Sequence, residues 1–177
     1  MKKLFAILLL ISPLYAAPLK LVTSFTILED IAHNVGGEEV EIKSLITHDK
    51  NAHGFEPSPS ALVIITSADA LILNGLQFEP WLERIIHANQ YSGTVVIASQ
   101  GVPTIRNREE HHDHDHGEFD PHIWQNPLNV IQMAKNIKEA FIELAPEKHL
   151  LFESNFNAYS KELIALDQET KAALSKL

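Results

Sequence analysis

Along the first two thirds of the chain, apolar residues alternate between two periods. Residues 19–25 (LKLVTSF) are a strand candidate, and residues 39–46 (EVEIKSLI) alternate and are rich in β-branched side chains, which predicts the next strand. Between them, TILEDIAHNVGG carries a helical repeat, with Thr26 as its expected cap and Gly36 and Gly37 as its stop. In EPSPSALVIITSA, Ser58 is the expected N-cap and Pro59 the first helical residue, so this segment is read as a helix despite its β-branched run. DALILN follows as a third strand, Asn74 and Gly75 as a turn, EPWLERIIHAN as a helix and GTVVIAS as a fourth strand. Strands separated by helices predict an α/β lobe with a largely parallel four-stranded sheet, whose ligand site lies beyond the carboxyl ends of the strands.

From Pro127 the texture becomes purely helical. Val130, Ala134, Ile137, Phe141 and Leu144 form one stripe, and Pro146 opens a second helix with Phe152, Phe156, Tyr159, Leu163, Leu166, Thr170, Ala173 and Leu177 on one side. Counted from Glu147, that helix would be about 45 Å long. The repeat reads as a coiled coil or as a long strut packed on a lobe. Because the pattern runs to the last residue without a cap, it is expected to be interrupted rather than finished, with Leu163, Leu166 and Leu177 exposed.

At the other end, residues 1–16 read as a signal peptide: Lys2 and Lys3, an apolar run from Leu4, and small residues at Ala16 and Ala17. This divides the chain into residues 1–16, a lobe over 17–145 and a long helix over 146–177. The sequence contains no cysteine, which excludes disulfides, thiolate ligands and cysteine-linked lipid within it. An exported, unlipidated chain in the periplasm is the expectation. A net charge of −9 and no basic patch argue against nucleic acid and anionic lipid as partners.

The candidate chemistry is in the histidines. Residues 109–118 hold His111, His112, His114 and His116 with Asp113 and Asp115, a polar loop that cannot build its own core and is read as auxiliary metal capture or as a solvated loop. His122, in FDPHIWQNP, differs: Phe119, Ile123 and Trp124 can fix its direction, and Asp120 can cap the turn or hold its second ring nitrogen. It reads equally as a ligand or as a structural histidine. In THDKNAHGFEPSPS, His53 stands near His48, Asp49 and Glu56, and loop position alone does not choose among them. His33, His87 and His149 lie in helical stretches and read as surface or packing residues. Dinucleotide, P-loop, HExxH and GxSxG patterns are all missing, so no enzyme is expected.

The segments THDKNAHGFEPSPSAL, ADALILNGLQFEPWLERII, FDPHIWQNPLNVIQMAKNIKEAF and FESNFNAYSKELIALDQETKAAL, in this order, resemble the periplasmic zinc and manganese receptors of bacterial ABC importers. The Asp-Pro-His-x-Trp pattern followed by Asn-Pro, and Asn-Gly-x-x-x-Glu-Pro-Trp-Leu, carry most of the likeness. The resemblance implies two α/β lobes joined by a long helix, with metal in the cleft between them. It assigns His53 and His122 as ligands and the His-rich loop to metal capture. Delivery to a membrane permease, a Zn2+ cargo with Mn2+ as the alternative, and a monomer where both lobes are present also follow from it. This chain would supply the first lobe and the linker helix, the second lobe and its ligands being absent. Ala52 stands where an acidic residue is common, and Asn126 where an aspartate is. A stand-alone zinc buffer and an adhesin-like manganese protein remain the alternatives.

Overall fold

A computed structural model describes residues 17–47, 55–107 and 118–176. The signal-peptide reading of residues 1–16 therefore lies outside the described residues. The four expected strands form: β1 Leu19–Phe25, β2 Val40–Ile46, β3 Ala70–Leu73 and β4 Thr94–Ile97. All pairings are parallel, in the order β2-β1-β3-β4, with Leu21 opposite Ile42 on one side and Ala70 on the other. Parallel neighbours need long crossovers, and helices supply them: α1 Thr26–Gly36 after β1, α2 Pro59–Thr66 after β2 and α3 Pro80–Ala88 after β3. All four residues of β3 are buried, as expected of a central strand in a parallel sheet.

The caps follow local chemistry with one exception. Ser58 caps α2 through Ala61 N, with Pro59 in the first turn, as its sequence dictates. Thr26, expected as the cap of α1, is instead its first residue. Phe25 occupies the N-cap without a side-chain bond, because β1 passes directly into the helix and leaves no connecting residue. At the other end Gly37 has φ of 57°, as the stop predicts, and a Cβ on Gly36 would overlap Val40 and crowd Phe141. Gly36 thus lets α1 sit close to the helices that follow.

Those helices are α4 Pro127–Leu144 and α5 His149–Leu174. Val130, Ala134, Ile137 and Phe141 of the α4 stripe are buried against the lobe. A short 3-10 turn, Pro146–Lys148, precedes α5, so that helix begins two residues later than the stripe suggests. Its 26 residues span about 39 Å. Its first half packs on α1 and α4, as the strut reading expects. Phe152 meets Phe141 at 5.6 Å, Lys138 pairs with Glu153 at 2.6 Å, and Asn155 Nδ2 donates to Val35 O at 3.0 Å. Leu163, expected to be exposed, is only 7% exposed because it closes this packing. Beyond it the helix leaves the lobe, with Leu166 49% and Leu174 62% exposed; Leu177 lies outside the described residues.

Candidate metal centre

β1 sends one crossover to β2 on its left and the chain later returns to β3 on its right, so the sheet changes direction between β1 and β3. In open α/β sheets, ligands bind in the crevice at the carboxyl end of such a point. His122 sits there. Phe25, the last residue of β1, stacks on Trp124 at 4.8 Å and on Phe78 at 5.1 Å. Trp124 and Phe78 in turn lie edge-on to the His122 ring, at 5.3 and 6.2 Å between centroids. The aromatic residues beside the DPH motif thus form a wall, and the imidazole, 39% exposed, stands against it.

Asp120 fulfils both roles open to it. Its Oδ1 accepts from the His122 backbone N–H at 2.9 Å and faces His122 Nδ1 at 2.7 Å. Those bonds, the backbone one first, hold the Asp120 carboxyl below its ordinary range. An ionised carboxylate only accepts, so Nδ1 carries a proton, and in the neutral ring Nε2 then holds the lone pair. This is the arrangement that makes imidazole a directed metal ligand. Asn126, standing where an aspartate is common, caps α4 by accepting from Leu128 N at 3.0 Å, a task either side chain performs.

Next to Phe78 in the chain is a buried residue that sequence reasoning did not assign. Glu79 is 1% exposed, and its Oε1 accepts from Ser24 Oγ at 2.5 Å and Asn74 N at 2.7 Å, while Oε2 accepts from Gly75 N at 3.1 Å. Burial nevertheless outweighs these bonds and raises its pKa to about 7. The turn it braces has φ of 82°, 55° and 60° at Gly75, Leu76 and Gln77. Two left-handed residues with side chains cost roughly 1–2 kcal/mol each, so the turn needs bracing. Gly75 is also irreplaceable on space, since a Cβ there would lie 2.6 Å from Ile97 and 2.7 Å from Ser99. Asn74 Nδ2 donates to Pro121 O at 3.0 Å, which ties the turn to the residue before His122. The sequence signal for this brace was the Asn-Gly-x-x-x-Glu spacing, legible as a motif but not as a function.

The remaining expected ligands were not brought together by the described residues. His53, with His48 and Asp49, lies outside them, as do His111, His112, Asp113, His114, Asp115 and His116. Among the described residues, no three histidine, cysteine, aspartate or glutamate side chains are grouped to hold a metal. The flanks of both segments are described. Phe55, two residues past His53, lies edge-on to Trp81 at 4.8 Å, beside Glu79 in sequence. On either side of residues 108–117, Arg106 bridges Phe119, Asn107 N donates to Glu118 O at 3.0 Å and Asp120 N to Ile105 O at 2.9 Å. Residues 105–107 and 118–120 thus pair as a short stem that ends on Asp120. His33, His87 and His149 are all exposed, as expected. A separate groove of about 700 Å³, lined by Thr26, Ile27, Glu29, Asp30, His33 and Ile42, does not include His122.

The described lobe is thus a parallel α/β unit with a carboxylate-held histidine at its switch point and a long helix leading away. The profile of the zinc-uptake complex component A, periplasmic (ZnuA), matches residues 21–177, and the chain belongs to that family. Its members are substrate-binding proteins of transport systems, not enzymes. The chain is 33% identical over 165 residues to the manganese ABC transporter substrate-binding lipoprotein PsaA of Streptococcus pneumoniae, covering 90% of this chain and 52% of that protein. It is 30% identical over 162 residues to the iron-binding protein YfeA of Yersinia pestis, covering 92% and 51%. A crystal structure of ZnuA superposes with a TM-score of 0.76 at 29% identity, over 86% of this chain and 57% of that one. The chain thus spans about half the length of the curated relatives it matches.

Proposed function

We propose that this chain captures Zn2+ in the periplasm for delivery to the permease of an ABC importer, with His53 and His122 as ligands. His111, His112, His114, His116, Asp113 and Asp115 act as an auxiliary capture segment beside them. The observation that carries the reading is the Asp120–His122 pair at the sheet's switch point, which orients the ring through Nδ1 and so supports Nε2 as the proposed metal-binding atom. The Phe55–Trp81 contact supports it by anchoring the segment after His53 on the helix that follows β3. Imidazole donors without thiolates favour zinc and, on the divalent series, disfavour manganese. Manganese is the second reading, because PsaA, named for that metal, is among the relatives. With zero cysteines, these 177 residues offer no thiol for the lipid that PsaA's name implies.

Zn2+ affinity and stoichiometry, measured for the wild type, His53→Ala, His122→Ala and a deletion of residues 109–118, test the proposal. Both point variants should lose the tightest site, and the deletion should lower stoichiometry while keeping it. A response to the deletion alone would mean a zinc buffer, and tighter binding of Mn2+ than of Zn2+ when the same variants are titrated with Mn2+ would mean the manganese receptor.

A further inference from the structure

We infer that Glu79 is a positioning residue for the metal site, setting the place of His122 through the turn that both Asn74 and Phe78 belong to. This rests on the reading of His122 as a ligand. Glu79 is buried, and no basic side chain pairs with it among the described residues. A carboxylate in such a place is disfavoured unless its bonds are needed. The bonds go to a single purpose: two of its three donors are consecutive backbone N–H groups, of Asn74 and Gly75, and the third is Ser24 near the end of β1.

Holding those two N–H groups bends the chain into its left-handed run, and the bend aims two neighbours at one target. The Asn74 carboxamide reaches Pro121 O, and the Phe78 ring reaches the His122 imidazole and Trp124. The amide orientation is settled by its surroundings, since Nδ2 faces two carbonyls, Gly75 O and Pro121 O. Its Oδ1 is buried without a partner among the described residues, so the side chain is kept for what it donates. Asp120 sets which ring nitrogen bears the proton; the Glu79 brace sets where the ring stands.

Glutamine at residue 79 retains the shape and one acceptor oxygen but places an NH2 group against a backbone donor. The turn then relaxes and the Asn74 anchor is lost with it. The test uses the full chain, Zn2+ alone as the probe, and the variants Glu79→Gln, Asn74→Ala, their double and His122→Ala. Glu79→Gln and Asn74→Ala should each weaken Zn2+ binding about tenfold, as loss of an outer support for a metal-bound histidine does, and their double should weaken it by about the same factor, because both break one relay. Long-range 1H–15N spectra of the metal-free His122 ring should shift in the same way in both singles.

Singles that multiply to about a hundredfold in the double act independently and overturn the relay. Singles that bind normally while His122→Ala does not overturn the positioning role but leave the ligand reading standing. If His122→Ala binds as tightly as wild type, the ligand reading fails and this inference with it. Should Glu79→Gln not fold, Asn74→Ala decides alone, since it leaves Glu79 and the backbone bond to it in place: unchanged affinity and an unchanged ring spectrum overturn the relay.

Discussion

Asp120→Ala removes two bonds from one residue, the backbone N–H bond at 2.9 Å and the ring bond at 2.7 Å, without touching any proposed ligand. Loss of a carboxylate behind a metal-bound histidine weakens metal binding by about 10- to 100-fold, or roughly 1.4–2.8 kcal/mol. Here the lower end applies, because the His122 and Asp120 side chains are 39% and 48% exposed and water can replace part of what is lost. We expect about a tenfold loss for Asp120→Ala. Asp120→Asn retains an acceptor oxygen but not the charge, and should fall between it and the wild type. Competition against a chromophoric zinc chelator near neutral pH reads the affinities, and ring 15N shifts read the tautomer. Wild type should show one tautomer protonated at Nδ1, and Asp120→Ala a mixture. An alanine variant that binds zinc within about twofold of wild type and keeps the single tautomer would refute the argument that this carboxylate directs the histidine.

Three further outcomes follow from the fold. Glu79 titrates at about 7 folded against 4.5 for an ordinary glutamate, so the folded state holds this proton more tightly than the unfolded chain. Its contribution is complete below about pH 4.5 and is lost as pH rises through 7, by up to about 3 kcal/mol, so metal-free urea unfolding should show a decline over that window which Glu79→Gln flattens. A Cβ at Gly36 overlaps Val40 and lies 3.1 Å from the Phe141 ring, so Gly36→Ala should destabilise the lobe by about 1–3 kcal/mol in the same assay. Phe152 is fully buried against Phe141; Phe152→Ala should cost about 3–5 kcal/mol and strip hydrogen-exchange protection from α5.

Much of this molecule was legible along the chain, because its architecture depends on local periodicity. Alternation in residues 39–46, Ser58 with Pro59, and the Asn74–Gly75 turn are signals carried by neighbouring residues, and the second strand, α2 and the turn form where they say. His122 and Asp120 were legible for the same reason, being two residues apart in a motif with aromatic neighbours. Where local signals competed with tertiary contact, the latter won. Thr26 lost its capping role to the direct junction of β1 with α1, and the first half of a stripe that reads as a coiled coil or a strut packs as a strut because Phe141 and Val35 are there to receive it.

By itself, the sequence determined which residues alternate, where helices begin and stop, that thiolates are missing and that imidazoles are the available donors. Only the folded chain decided that His122 stands at the carboxyl ends of β1 and β3, and that Glu79, forty-three residues before it, braces the turn it rests on. The physical reason is distance along the chain. Strand and cap preferences are settled within a few residues, whereas a buried carboxylate finds its donors only after the sheet has brought Ser24 and Asn74 side by side.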